Sequence, residues 1–333
     1  MKKFPQSNEI LNKIKSSSKI LVTSHISPDM DSMGSILSFY QVLKKLEKIE
    51  VDVVLTDKVP KTLEFLPFSK DIKQDEIFDL GLSKFDLIIF LDSANLKRVT
   101  RKLENQELDK DIHTINIDHH ITNENYANIN LVEEVSSTSE LLFSLYNECE
   151  IDISKDFALC LLTGITGDTG GFQYPTTTSL THEIAAELVN IGAEPNLIAF
   201  NTLKSNHLDK IHFWGLCLSK MKLENLQDKS FVWSAVSFQE LEPFGGPEMK
   251  EGIEGFFGQV LDTDFGIMII EQEKGILSGS LRSRTDIDVS KIAIVLGGGG
   301  HKGAAGFKFP LNNLSFDDGV NKVQEAIKQV YGN

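Results

Sequence analysis

Short apolar runs that stop at an acid or a histidine recur in the first part of this chain, and they constrain its fold more than any other feature. Ile20–Val22 leads into His25-Ile26-Ser27-Pro28-Asp29-Met30-Asp31-Ser32-Met33-Gly34-Ser35, Leu87–Leu91 stops at Asp92, and His113–Ile117 stops at Asp118-His119-His120. β-Branched runs bounded by polar punctuation read as strands. Between them the pattern is helical: Glu9–Ile14 precedes the first run and Ser35–Leu46 follows it, with Val51–Leu55 as a further strand. Strands alternating with helices imply βαβ units and a mostly parallel, doubly wound sheet, an α/β domain. The acids and histidines then lie at the carboxyl ends of strands, the edge at which open α/β sheets bind ligands.

The first of these strand ends places one imidazole and two carboxylates within seven residues, on a loop bent by Pro28 and released by Gly34. Such a set can converge on a divalent cation that takes oxygen and nitrogen ligands. Asp29 and Asp31 could equally cap the helix that follows. The same choice arises singly at Asp92, at Asp118-His119-His120, and at Asp168, which stands beside glycines in Gly164-Ile165-Thr166-Gly167-Asp168-Thr169-Gly170-Gly171-Phe172. Taken together, they supply enough ligands for two cations about 3.5–4 Å apart, the arrangement that clamps attacking and leaving oxygens in phosphoryl transfer. Ser93 and Thr169 adjoin these residues, but neither occupies a Gly-x-Ser-x-Gly elbow, which argues against a nucleophilic serine or threonine.

From Ser137 the pattern turns helical, over Ser139–Cys149, Lys155–Thr166, Ser179–Asn190 and Leu197–Met221. The remainder reads as a smaller α+β domain: strands Phe231–Val236, Phe265–Glu271, Gly275–Arg282 and Ala305–Phe309, and helices Glu248–Phe257, Val289–Leu296 and Asp317–Tyr331. The expected division is a first domain over 1–192, a helical connector over 193–220 and a second domain over 221–333. At 333 residues the chain has the length of two ordinary domains. In the second of them Leu281-Arg282-Ser283-Arg284 ends a strand, and Gly297-Gly298-Gly299-Gly300-His301-Lys302-Gly303 joins a helix to a strand. Glycines let backbone N–H groups approach an anion and arginine gives bidentate phosphate contacts, although a mobile turn with solvated charges has the same composition.

A formal charge of −15 repels long polyanions and argues against tight binding of duplex DNA. Three widely spaced cysteines suggest neither a disulfide framework nor a thiolate metal site. No apolar run approaches the roughly 20 residues of a membrane span, and no signal-like apolar region follows the N-terminus, so a cytoplasmic protein is expected.

In this order, HISPDMDSMGS, the Asp92 strand end, Asp118-His119-His120, the Asp168 segment, SLRSR and GGGGHKGAAGF together resemble the DHH superfamily of phosphoesterases with the DHH-associated C-terminal domain, most closely its nano-RNase and 3′-phosphoadenosine-5′-phosphate (pAp) phosphatase branch. The resemblance implies a hydrolase acting as an exonuclease on very short RNA and as a pAp phosphatase, with two divalent ions, Mn²⁺ being expected. It implies that His25 and Asp29 hold one ion, that Asp31, His119 and Asp168 hold the other, and that Asp92 bridges. Asp118 would orient an imidazole, and His120 would face the scissile phosphate. Arg282, Ser283, Gly298, Gly299, Gly300 and His301 would grip the far end of the nucleotide. The implied partners are short RNA oligonucleotides and mononucleotide bisphosphates, without membrane or long duplex DNA, and a homodimer is left open. A linear or cyclic dinucleotide phosphodiesterase is the alternative activity, inorganic pyrophosphatase a weaker one, and a non-catalytic nucleotide sensor the rival of another class. Arg98 could reach a substrate phosphate, and His182 reads as part of a solvated helix face.

Overall fold

The computed structural model describes residues 3–46, 49–102, 108 and 112–332. The chain divides into two compact units, Met1–Ser205 and Asn206–Asn333. The first is built on a six-stranded sheet in the order β3-β2-β1-β4-β5-β6, with β1 at Lys19–Thr23, β2 at Glu50–Leu55, β3 at Lys73–Gln74, β4 at Leu87–Leu91, β5 at His113–Asp118 and β6 at Ile129–Val132. Every pairing is parallel, so the expected doubly wound α/β sheet is the one formed. Alternation of side chains divides each strand between the two faces. Ile20 and Val22 of β1 and Leu87, Ile89 and Leu91 of β4 join the larger core, whereas Leu21, Ile88 and Phe90 join a smaller one on the opposite face. All five residues of β4 are buried, at about 1.5–3 kcal/mol of hydrophobic stabilisation for each large side chain.

Helices α1 (Ser7–Ser16), α2 (Met30–Lys44), α4 (Thr138–Glu148), α5 (Lys155–Asp168) and α6 (Ser179–Ile191) contribute to the larger core, while α3 (Leu96–Val99) lies against the smaller one. α2 is buried without a break from Asp31 to Leu43, which is why its sequence lacks a polar stripe. It begins at Met30 and not at Ser35 as the sequence suggested: Asp29 is its N-cap, accepting from the Asp31 and Ser32 amides, and Ser32 closes a capping box. Gly34 therefore releases no loop. It lies inside the helix where α2 meets α5, and a Cβ there would come within 2.5 Å of the Cys160 carbonyl oxygen.

The second unit carries a mixed six-stranded sheet ordered β11-β12-β10-β9-β8-β7, formed by Lys222–Leu226 (β7), Lys229–Val236 (β8), Phe265–Glu273 (β9), Ile276–Ser283 (β10), Gly299–Gly300 (β11) and Ala304–Pro310 (β12). One face is covered by α11 (Ser290–Val295) and α12 (Phe316–Tyr331), the other by α8 (Leu208–Ser219), α9 (Phe238–Leu241) and α10 (Glu254–Phe257). The single helix expected over Leu197–Met221 is two, α7 (Pro195–Thr202) in the first unit and α8 in the second, so the expected connector is shared between them. The helix expected over Glu248–Phe257 is also interrupted, because Gly252 takes a positive φ of 91°.

Candidate metal centre

The order of the first sheet fixes where a site can form. After β1 the chain turns outward through β2 and β3, then returns to the other side of β1 as β4, so β1 and β4 flank the topological switch point. His25 follows β1, Asp92 follows β4, Asp118 ends β5, and His119 and His120 come directly after it. α2 brings Asp29 and Asp31 at its amino end, and α5 brings Asp168 as its last residue.

The six side chains expected to bind metal all meet here, in overlapping groups. Ligand atoms of His25, Asp29 and Asp92 lie within 4.8 Å of one another, as do those of Asp31, His119 and Asp168, and those of Asp92, His119 and His120. His25 Nε2 is 3.5 Å from Asp29 Oδ2 and 3.4 Å from Asp92 Oδ2. His119 Nε2 is 3.0 Å from Asp168 Oδ2 and 3.7 Å from the other Asp92 oxygen, Oδ1. The two carboxylate oxygens of Asp92 thus face different histidines. Its backbone is left-handed, at φ 54°, a conformation that few residues other than glycine, asparagine and aspartate adopt readily.

Both proximal imidazoles are oriented by carbonyls: His25 Nδ1 lies 2.8 Å from Ile26 O and His119 Nδ1 3.2 Å from Val135 O. With Nδ1–H donating, Nε2 is left as a lone-pair donor aimed into the acids, the usual preparation of a metal-ligating histidine. Although His119 Nε2 is close to Asp168, it is buried and makes no well-formed hydrogen bond. A buried nitrogen with no aligned hydrogen-bond partner, set among carboxylates, is suited to a metal ion, and the O/N donor set suits a hard or borderline divalent ion.

Electrostatics point the same way. Burial pushes the Asp31 carboxyl well above the usual range, and repulsion from Asp92 and Asp168 adds to it. Burial likewise raises Asp168. Burial opposes a charged His119, yet Asp168, Asp92 and Asp31 outweigh it and push the imidazole up to about 11. His25 is raised for the same reason by Asp29 and Asp92, against its own burial. Without metal the cluster therefore retains protons that a cation would replace.

Several supporting groups escaped the sequence reading. Asp31 takes hydrogen bonds from the first amides of α4, Thr138 N at 2.7 Å and Ser139 N at 2.9 Å, and the Thr138 hydroxyl donates to Asp92 Oδ1 at 3.1 Å. The pattern Ser137-Thr138-Ser139-Glu140 announces a helix start, but nothing in it names Asp31 as its partner. Asn123 Nδ2 donates to Asp118 Oδ2 at 2.5 Å, while His120 Nδ1 lies 2.7 Å from Asp118 Oδ1. Ser93 pairs with the Tyr126 hydroxyl and Thr169 donates to the Ile165 carbonyl, so both are engaged structurally. The Arg98 carbonyl accepts from Ile26 N at 2.6 Å, which ties α3 to the His25 loop. His182 stacks on Phe172, with ring centroids 5.2 Å apart.

The remaining expected site residues belong to the second unit. Arg282 donates to the Leu281 carbonyl and lies 3.4 Å from Glu254, and Ser283 donates to the Thr285 carbonyl. Gly299 and Gly300 form β11 against β12, while the amides of Gly298 and His301 donate to Ala293 and Ala304. The backbone of the glycine run is thus partly committed to its own fold. What it offers is close approach: Gly299, Gly300 and His301 are exposed.

The first unit is a parallel α/β sheet with a metal-ready cluster of acids and histidines at its switch point. Residues 19–165 match the DHH family, N-terminal domain, and residues 258–332 match the DHHA1 domain, so the chain carries both a DHH N-terminal domain and a DHHA1 domain. The bifunctional oligoribonuclease and PAP phosphatase NrnA of Thermus thermophilus is 28% identical, over 93% of this chain and 89% of that protein. A probable manganese-dependent inorganic pyrophosphatase of Streptococcus equi subsp. zooepidemicus is 27% identical, over 94% of this chain and 98% of its own length. Among solved structures, an exopolyphosphatase-related protein from Bacteroides fragilis superimposes with a TM-score of 0.87 at 28% identity, covering 97% of this chain and 96% of that one. Among the described residues no helix is long and apolar enough to cross a membrane.

Proposed function

We propose that this protein is a metal-dependent phosphoesterase that hydrolyses short oligoribonucleotides and removes phosphate from pAp. The observation that carries this reading is the meeting, at one sheet edge, of a His25, Asp29 and Asp92 group with an Asp31, His119 and Asp168 group, the second oxygen of Asp92 lying 3.7 Å from His119 Nε2. It is supported by the likeness, over 93% of the chain, to an oligoribonuclease and PAP phosphatase. In this reading His25 and Asp29 hold one divalent ion, Asp31, His119 and Asp168 hold a second, and Asp92 bridges. Mn²⁺ is the expected ion, in keeping with the name of the streptococcal relative. When bound, such ions supply Lewis acidity and the means to ionise water near neutral pH. The chain itself orients and moves a proton: Asp118 engages His120 Nδ1, so that the Nε2 edge can stabilise charge on the departing oxygen or protonate it.

The second unit has a different task in this proposal. Arg282, Ser283, Gly298, Gly299, Gly300 and His301 grip a substrate phosphate away from the metals, which favours nucleotides over pyrophosphate. With a charge of −15 and no long basic track, each further phosphate of a longer RNA meets a negative surface. The test presents purified protein and Mn²⁺ separately with pAp, a dinucleotide, a 24-nucleotide RNA and pyrophosphate. Turnover of pAp and the dinucleotide, with little on the longer RNA and none after chelation, is expected. Turnover of pyrophosphate alone, or activity indifferent to metal removal, would overturn the proposal.

A further inference from the structure

The turn after His120 carries a buried amide network to which the proposed reaction assigns no role. Asp118 is fully buried at the end of β5. One of its oxygens meets His120 Nδ1 at 2.7 Å, and the other accepts from Asn123 Nδ2 at 2.5 Å. Asn123 is itself held from both ends. Its Oδ1 accepts from the Asn125 amide at 2.7 Å, which fixes which end of the side chain is the donor, and its Nδ2 also reaches Asn116 Oδ1 at 2.7 Å. Asn116 is fully buried and donates in turn to the carbonyls of Phe90 and Ser93, the residues on either side of the Leu91-Asp92 strand end. The network therefore connects the strand that presents Asp92 to the carboxylate that aligns His120.

We infer that Asn123 is a positioning residue for the reaction proposed above: by donating to Asp118 it fixes that carboxylate in the one orientation in which its other oxygen holds His120 Nδ1, aiming the opposite edge of the ring at the leaving oxygen. A carboxylate lacking this second donor can rotate about its terminal bond, which is torsionally soft. The inference rests on the phosphoesterase reading for its kinetic consequence, though not for its geometry.

Removing a hydrogen bond to a charged group should lower kcat on a dinucleotide about ten- to hundredfold in Asn123→Ala, with KM and the Mn²⁺ concentration for half-activation unchanged. Asn123→Asp, which keeps the shape but replaces the donor by an acceptor, should lose at least as much. The discriminating substrate is a nucleoside p-nitrophenyl phosphate, whose leaving group departs without a proton. There Asn123→Ala should stay within about threefold of the wild type. An equal loss on both substrates would mean a merely structural role, and no loss on the dinucleotide would also overturn the inference. The His120 Nδ1 proton, recorded by NMR in the wild type and in Asn123→Ala, supplies an answer independent of turnover. Its downfield resonance should weaken or move in the variant, and an unchanged resonance would refute the positioning role. Failure of wild-type protein to cleave the dinucleotide would instead count against the phosphoesterase reading, leaving the NMR comparison to decide the role of Asn123.

Discussion

Substituting alanine for Gly164 tests whether the packing of the helices sets the geometry of the metal centre. In an ordinary helix interior this change is favourable by up to about 1 kcal/mol, because alanine is the better helix former. In α5 a Cβ at this position would fall on the side chain of Ser139 and within 2.6 Å of Asp31 Oδ1. Overpacking of this kind costs about 1–3 kcal/mol. Any movement of Asp31 also weakens its bonds from the Thr138 and Ser139 amides, each worth roughly 0.5–1.5 kcal/mol. The net expectation is a loss of about 1–3 kcal/mol in the metal-free protein, or roughly 2–12 °C in Tm. Mn²⁺ affinity should fall at least about tenfold, the usual cost of disturbing the support of a ligand. Gly34→Ala provides the comparison, since the nearest atoms its Cβ would strike are the Cys160 carbonyl oxygen and the Gly164 backbone. Thermal denaturation with chelator, followed by Mn²⁺ titration, separates the two variants: both should lose stability, and Gly164→Ala should lose more metal affinity. An unchanged Tm and unchanged Mn²⁺ titration for Gly164→Ala would refute the argument.

Asp92→Asn keeps a residue that tolerates the left-handed backbone at φ 54°, so it should remain folded by circular dichroism while activity with Mn²⁺ drops to the detection limit; near-normal turnover would exclude a bridging role. Metal-free stability should fall as pH rises. His119, raised from 6.5 to about 11, contributes stability that is complete below pH 6.5 and is lost as pH climbs towards 11, and the upward shifts of His25, Asp31 and Asp168 act in the same direction. Tm measured with chelator between pH 6.5 and about 9 should therefore decline, whereas the stabilisation gained on adding Mn²⁺ should grow; a flat pair of curves would count against both. Arg282→Ala should raise KM for a dinucleotide about ten- to hundredfold and His120→Ala should lower kcat. An equal kcat loss in both would place Arg282 at the reaction centre.

The first sheet was legible because β1 and β4 carry uninterrupted apolar runs, β5 has isoleucine at alternate positions, and each of the three is closed or shortly followed by an acid or histidine, as expected of buried parallel strands. That these four aspartates and two histidines would meet at one edge was legible from their residue types, since acids and histidines repeated at element ends have few other uses. Their mutual geometry was not. Nothing in the sequence distinguishes Asp92 in a left-handed backbone from an extended one, because the difference arises from the turn between β4 and α3. The α2 boundary was misplaced because Pro28 and Gly34 resemble loop punctuation. Asp29 overrides them by capping the helix with one oxygen while its other faces His25. β6 and β7 were missed because edge strands carry half-polar sequences, Ile129–Val132 and Lys222–Leu226, that imitate loops. Asn123 is silent for a similar reason: asparagine in a turn is expected on backbone grounds alone, so its contact with Asp118 emerges only with the fold.

The glycines around Asp168 carry a consequence that neither capping nor turn chemistry explains. Gly164 lies against Asp31 and Ser139, Gly34 against Cys160 and Gly164, and Gly167 against the Met30 side chain. These contacts let α2 meet α5 backbone to backbone at Gly34 and Gly164, and leave room beside Gly164 for the Asp31 and Ser139 side chains. Asp31 comes from the first of these helices, the amides that hold it from the second, and Asp168 from the third. The separation of those candidate ligands is therefore set in good part by the close approach of α2 to α5, which is stiff. A site assembled in this way holds its carboxylates at fixed spacing even while they repel one another, as the raised Asp31 and Asp168 indicate. Cations bound there, as proposed, would relieve that repulsion, so the packing that fills the core would also supply part of the affinity for metal.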